Sequence, residues 1–291
     1  MDAQTSTMDL QPFTLATIQS TPSYEKDLVV HQAATNVHKA KRHGANIVIL
    51  SEQFNCPYGV SHFTEYYEQI TDDSATIQIL SAAARTNEVY IIGGSMPEIK
   101  DGIIYESCPV INPRGKLIAV YRRLHLCCKD YSIDSLLKES DIMSAGESPL
   151  LVRTEYATIG IGIGFDIYSS ELAMAYANAG CQVLVYATGM KISEDKQRLS
   201  TLAKIRAVDT RCFVVACGPK ENQQQSMEFQ QCIGVDPYGT IMPWQHFPDE
   251  AETPKLIRID LKIIDLVEKM TNQYATQISK CRTEFLMPRY C

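Results

Sequence analysis

Three short stretches place chemically capable side chains just past apolar runs. In Ser51-Glu52-Gln53-Phe54-Asn55-Cys56-Pro57-Tyr58-Gly59, Glu52 comes directly after the β-branched run Asn46 to Leu50. A carboxylate at the carboxyl end of a buried strand stands where α/β folds collect their sites. Burial raises its pKa and suits it to general-base work. Taken alone, Glu52 reads more simply as a local cap or ion-pair partner. Tyr121-Arg122-Arg123-Leu124-His125-Leu126 closes a second run. A cation here can face the same site as Glu52, or the two arginines can both be solvated, one on each side of the strand. His125 by itself reads as structural. The third stretch is Gly160-Ile161-Gly162-Ile163-Gly164-Phe165-Asp166-Ile167-Tyr168, with Ser170-Glu171-Leu172 opening a helix. Such a strand-to-helix junction suits an elbow nucleophile, with backbone N–H groups of the following turn as oxyanion donors. The glycine spacing does not fit a dinucleotide loop, because the third glycine is out of place.

The elements that must hold these stretches follow a strand–helix rhythm. Phe13 to Gln19 alternates and reads as a strand. Ser23 to Arg42 reads as a helix, with Val29, Ala33, Val37 and Ala40 on one face and Gly44 at its end. Asn46 to Leu50 is a buried strand, Ser74 to Asn87 a helix, and Val89 to Gly93 a strand. Ile103–Ile111 and Lys116–Arg123 flank the turn Asn112-Pro113-Arg114-Gly115 and read as a hairpin. Then come strand Thr158–Ile163, helix Ser170–Ala179, strand Gln182–Tyr186, helix Asp195–Asp209 and strand Cys212–Cys217. Gln231–Val235 and the run from Thr240 read as a second hairpin around Asp236-Pro237-Tyr238-Gly239. Leu256 to Leu261 is a late strand, followed by a short helix through Lys269. The pattern predicts mixed sheets with helices on their outer faces. It predicts one domain over 12–287, with short tails at 1–11 and 288–291.

Composition narrows the function. The 291 residues carry a net charge of -7 and no basic cluster, against nucleic-acid binding. No apolar run reaches the roughly 20 residues of a bilayer span, and no signal peptide precedes Phe13. The ten cysteines include no CxxC spacing. They are expected as reduced thiols in a cytoplasmic protein, a mitochondrial location being the other option. Neither a metal nor another cofactor is expected. Gln223-Gln224-Gln225 reads as a surface loop.

Taken together and in order, the three stretches resemble the carbon–nitrogen hydrolase (nitrilase) superfamily, in its branch of omega-amidases and deaminated-glutathione amidases. Glu52 to Gly59 resembles that branch's glutamate segment. Tyr121 to Leu126 resembles its lysine segment. Glu139-Ser140 with Ser144-Ala145-Gly146-Glu147 resembles the loop that brings a second glutamate, and Gly160 to Leu172 resembles the cysteine elbow. Arg206-Ala207-Val208-Asp209 and Val235 to Gly239 resemble two later signatures. The resemblance spans about residues 12 to 287. It implies a four-layer α-β-β-α sandwich that dimerises, and covalent amide chemistry. In that chemistry a glutamate deprotonates a cysteine, the thiolate attacks the amide carbon, and a lysine stabilises the tetrahedral intermediate.

The same resemblance exposes departures. Glu52 matches the general base and Glu139 the second glutamate. The lysine position holds Arg123 and the cysteine position Gly164. Phe165 replaces the tyrosine that commonly follows, Tyr168-Ser169 replaces an Arg-Phe pair, and Arg198-Leu199 stands where the branch often has His-Trp beside the substrate. Tyr58, Phe165, Tyr168 and Arg198 are the expected substrate-facing residues. Arg123 is expected to salt-bridge Glu52 or Glu139 and hold it ionised. The resulting expectation is a degenerate amidase of little or no activity. It would bind a small carboxylate or amide, or serve as a homodimer or as partner to a related paralogue. The alternative is an active hydrolase of dicarboxylate monoamides using a displaced cysteine (Cys56, Cys127 or Cys128) or water activated by Glu52.

Overall fold

The computed structural model describes residues 11–127, 138–189, 197–220, 232–245 and 254–278. The Gln223–Gln225 loop, Cys128 and the C-terminal tail lie outside the described residues. The chain opens with β1 (Phe13–Ile18), α1 (Lys26–Arg42), β2 (Ile47–Leu50), the one-turn α2 (Phe63–Tyr66), α3 (Ala75–Asn87) and β3 (Tyr90–Ile92). Strands β4 (Met96–Lys100), β5 (Ile103–Ile111), β6 (Leu117–Arg122), β7 (Leu151–Arg153) and β8 (Thr158–Ile163) follow. The last elements are α4 (Ser170–Asn178), β9 (Val183–Ala187), α5 (Arg198–Thr210), β10 (Phe213–Cys217), β11 (Ile233–Val235), β12 (Lys255–Ile259) and α6 (Lys262–Ile278).

The strands form two sheets. One runs β12-β1-β2-β3-β5-β4, with β6 also paired to β5; the other runs β11-β10-β9-β8-β7. Period-two alternation divides each strand between two cores. From β2, Ile47 and Ile49 enter the inter-sheet core with Leu15, Ile159, Ile161, Val185 and Phe213. Val48 and Leu50 point the other way, against Val30, Val37, Leu80 and Ala84 of α1 and α3. On the far side, Leu172 and Tyr176 of α4 and Leu199 and Ala203 of α5 cover Leu184 and Val214. The layers are therefore α-β-β-α, as the resemblance implies. Both faces of the central strands are covered, so β1 is buried nearly throughout although its sequence alternates.

Local differences from the sequence reading have local causes. α1 begins at Lys26 because the Ser23 hydroxyl accepts the Glu25 N–H (3.1 Å) and closes a turn ahead of the helix. β4 went unread: it contains Pro97, which an edge strand tolerates but which breaks the apolar pattern. β7 is a three-residue edge strand with no period to detect. The turn at Asp236 to Gly239 forms, with Gly239 N–H on the Asp236 carbonyl at 2.9 Å. The strand expected after it shrinks to a single bridge, Val235 to Ile241. The last helix runs past Lys269 to Ile278. Among the described residues no helix is long and apolar enough to cross a membrane.

β2, β6, β8 and β9 finish at Leu50, Arg122, Ile163 and Ala187. The next residues from all four, Glu52, Arg123, Gly164 and Gly189, meet at one point between the sheets.

Candidate functional site

Glu52 is held there by backbone that leaves it little freedom. The chain leaving β2 turns through Gln53 in the left-handed region, φ 49°. Ser95 fastens the turn, donating its N–H to the Ser51 carbonyl (3.2 Å) and accepting the Gln53 N–H on its hydroxyl (2.8 Å). The approach is so close that a Cβ on Gly94 would stand 2.0 Å from the Ser51 oxygen, so glycine is required there. The Glu52 carboxyl then accepts the Tyr58 hydroxyl at 2.8 Å and the Gly189 N–H at 2.7 Å on one oxygen.

Arg123 fills the centre of the site. Its Nη1 donates to Glu106 Oε2 at 2.7 Å, its Nη2 to Glu139 Oε2 at 2.9 Å, and its Nε to the His125 carbonyl at 2.9 Å. The guanidinium carbon also sits 5.7 Å from the centre of the Phe165 ring. Glu106 is wholly buried, and its second oxygen accepts the Ser95 hydroxyl at 2.7 Å. Glu139 also accepts the Cys127 N–H. Arg122, one residue earlier, faces the opposite way and makes a two-pronged pair with Glu98. So one arginine is built into the site, and neither is simply solvated.

The elbow after β8 is rigid. Asp166, fully buried, collects the Tyr121 hydroxyl (2.7 Å), the Ile163 N–H (2.9 Å) and both the backbone N–H and the ring Nδ1 of His125 (3.0 and 2.7 Å). It thereby ties the elbow to the strand that delivers Arg123. Arg206 of α5 closes the other side, donating to the Ile167 and Tyr168 carbonyls at 3.0 and 2.7 Å. Gly164 lies at the apex with φ 51°. A Cβ added there would stand 2.8 Å from Glu52 Oε1, 2.9 Å from Arg123 Cζ and 3.1 Å from its Nη1. The guanidinium occupies the space a side chain at 164 needs.

The electrostatics correct one expectation. Arg123 pairs with Glu139 as expected, but its other partner is Glu106 and not Glu52. Glu52 is not held ionised: burial, aided by Glu106, pushes its carboxyl from the ordinary 4.5 up to about 8, with Arg123, Gly189 and Tyr58 opposing. Glu139 is also raised, because burial outweighs the Arg123 charge and the Cys127 N–H. Burial works against the charge on Arg123, but Glu106, Glu139 and Glu52 more than offset it and raise its pKa.

Of the other residues read from the sequence, Tyr58 touches Glu52. Phe165 lies against Arg123, and Tyr168 stacks on Phe165 with ring centres 5.0 Å apart while remaining 38 % exposed. Arg198 opens α5, half-buried, next to a segment outside the described residues. Sequence reasoning missed Glu106, Ser95 and Gly189. Glu106 did leave a signal: it is the single charge inside the run Ile103–Ile111, on a strand otherwise built for burial.

Two measurements test this electrostatic arrangement. Arg123→Ala leaves Glu106 buried without its cation and should cost about 3–5 kcal/mol in urea unfolding. Adding Glu106→Gln should recover part of that loss, whereas additive costs would show the pair is uncoupled. The folded protein holds the Glu52 proton more tightly than the unfolded chain between pH 4.5 and about 8. Stability from this group is therefore complete below that window and is lost as pH rises through it. Relative to Glu52→Gln, the native protein's urea midpoint should fall across the window; a pH-independent difference would refute the raised pKa.

A family model described as carbon-nitrogen hydrolase matches residues 14–267. The chain is 36% identical over 254 residues to Hydrolase C26A3.11 of Schizosaccharomyces pombe, covering 87% of this chain and 77% of that protein. It is 34% identical over 274 residues to the human omega-amidase NIT2, covering 92% and 99% of the two chains. The crystal structure of Saccharomyces cerevisiae Nit3, a member of branch 10 of the nitrilase superfamily, superposes with a TM-score of 0.78. The identity is 27%, with 94% of this chain and 97% of that one covered. With the sandwich, the elbow and the glutamate-lined point between its sheets already in place, these likenesses identify the chain as a member of the carbon–nitrogen hydrolase family.

Proposed function

We propose that this family member has given up covalent amide hydrolysis and keeps its former reaction centre as a buried ion-pair cluster. One observation carries the reading: the Arg123 guanidinium stands within 2.9 Å of where a Cβ at residue 164 would be. The chemistry implied by the family resemblance needs a thiolate at that position. Glycine supplies no atom to form a thioester, and loss of the nucleophile costs a covalent catalyst roughly a million-fold in kcat. Arg123 differs from a lysine in kind, since a planar fork engaged with two carboxylates is not a mobile point charge. What survives is a buried cluster of carboxyl groups around Arg123.

The displaced-cysteine route gains no support at Cys56. Its thiol is fully buried, and burial together with Glu106 pushes its pKa far up, away from thiolate. A second reading rests on Glu52. Its carboxyl, pushed up to about 8 and bound to Tyr58, is the kind of group that moves protons for a slow, water-based hydrolysis.

Pairing of two copies is part of the proposal. Ile205 and Val208 of α5, Tyr238, and Leu266 and Met270 of α6 are exposed apolar side chains. Two of these elements meet at the 236–239 turn: the Tyr238 hydroxyl reaches Met270 Sδ at 3.6 Å, and Gly239 abuts Val208. Sedimentation velocity should give about twice the 32.6 kDa chain mass, and Val208→Glu should shift it to the monomer. A monomer of native sequence would remove the dimer.

Purified protein should not turn over 2-oxoglutaramate, succinamate or deaminated glutathione at ordinary enzyme rates; turnover at such rates would overturn the first reading. Residual slow hydrolysis abolished by Glu52→Gln would establish the second. Gly164→Cys alone should lower the melting temperature, since its side chain meets the guanidinium. Adding Arg123→Lys should relieve that loss while restoring little amidase activity, because Tyr168, Ser169 and Arg198 have also departed from the family pattern.

A further inference from the structure

Away from the site, two buried cysteines face each other across paired strands. β10 and β11 are antiparallel, with Val214 opposite Val235, Val215 opposite Gly234 and Ala216 opposite Ile233. The same register sets Cys217 opposite Cys232, and their sulfurs are 3.5 Å apart. A disulfide needs about 2 Å, so closing it asks roughly 1.5 Å of combined movement, within reach of a side-chain rotation. We propose that Cys217 and Cys232 are a dithiol that hydroperoxides oxidise to a reversible disulfide joining β10 to β11.

The surroundings distinguish this pair from inert core thiols. The Thr17 hydroxyl is fully buried and otherwise unpartnered, and it is turned to the Cys232 sulfur. The Gly218 N–H and the Lys255 ammonium act on the same sulfur. Burial opposes a charge there, but the neighbouring Cys217 sulfur and these three groups together lower the Cys232 pKa; the Cys217 thiol also lies against the Ile18 carbonyl at 3.6 Å. Cys217 is shifted the opposite way, chiefly by burial, and stays a protonated thiol. The roles follow. Both residues are buried, and Cys232, with 5 % exposure against none for Cys217, is the less enclosed of the two and is assigned the first encounter with a small oxidant.

The chemistry balances with a hydroperoxide as the two-electron oxidant. The Cys232 thiolate attacks the peroxide, giving the sulfenic acid and releasing hydroxide or alkoxide. The Cys217 sulfur then displaces the sulfenic oxygen, which departs with the Cys217 proton as water, and the S–S bond forms. The link lies close to the ion-pair cluster. The Cys217 carbonyl accepts the Thr188 N–H at 3.1 Å, and the next residue, Gly189, donates to Glu52.

The test uses the full chain, reduced and desalted, then treated with a few equivalents of hydrogen peroxide. The protein is unfolded in N-ethylmaleimide and its peptides are read by mass spectrometry. A Cys217–Cys232 linked peptide, lighter by two hydrogens and split by dithiothreitol, is expected. Cys217→Ser should instead trap Cys232 as a dimedone adduct, with circular dichroism confirming the fold. Full alkylation of both residues in the native sequence after peroxide would overturn the proposal. So would oxidation confined to other cysteines, or linkage to a different partner.

Discussion

Everything at the centre of this molecule depends on one guanidinium. Arg123 is the cation among three buried carboxyl groups, contributed by the ends or middles of three separate segments: Glu52 after β2, Glu106 inside β5 and Glu139 beyond β6. Burying carboxylates is costly, and Glu106 has no solvent to fall back on. The arrangement is tolerable because Arg123 spreads its charge over a planar fork whose two ends reach two acids at once. The third acid cannot be served in the same way. Glu52 is left with a hydroxyl and one backbone N–H, and its carboxyl answers by holding its proton. The division of labour among the three acids is thus a consequence of how many partners one arginine can satisfy.

That cluster would be useless without a rigid frame. Asp166 ties the elbow to the strand carrying Arg123, and Arg206 clamps the elbow from α5. Neither group reaches the reacting position. The frame therefore rests on contacts made by residues other than 164. This separates two properties that usually travel together. The strand ends, the turns and the buried polar network are held by one set of residues, and the few side chains that fill the middle by another.

The sequence disclosed the frame more readily than the cluster. Strong periodicity made α1, α3, β2 and β8 readable, and turn residues marked Asn112 to Gly115 and Asp236 to Gly239. Short edge strands such as β4 and β7 carry too few residues, or a proline, to show a period. In the site, Glu52, Glu139 and Arg123 were recognised because each follows an apolar run or a family motif. Of the two partners expected for Arg123 the structure supplies Glu139, and it adds Glu106, an acid in the middle of a strand. Glu106 looks like an outward-facing residue in a linear reading. Only the bulged pairing of β5 with β6 brings it beneath Arg123. Partner choice among buried charges depends on which strands lie side by side, and no local pattern encodes that.

Gly164 and Arg123 are best understood as a single feature. An arginine placed as this one is and a side chain at residue 164 compete for the same space, since a Cβ there would stand 2.9 Å from the guanidinium carbon and one of the two would have to shift. The glycine makes room for the arginine, and the arginine pairs with Glu106 and Glu139. Glycine at an apex of φ 51° also removes the strain that a side chain there has to bear. Residue 164 is thus a buried, closely packed part of the core.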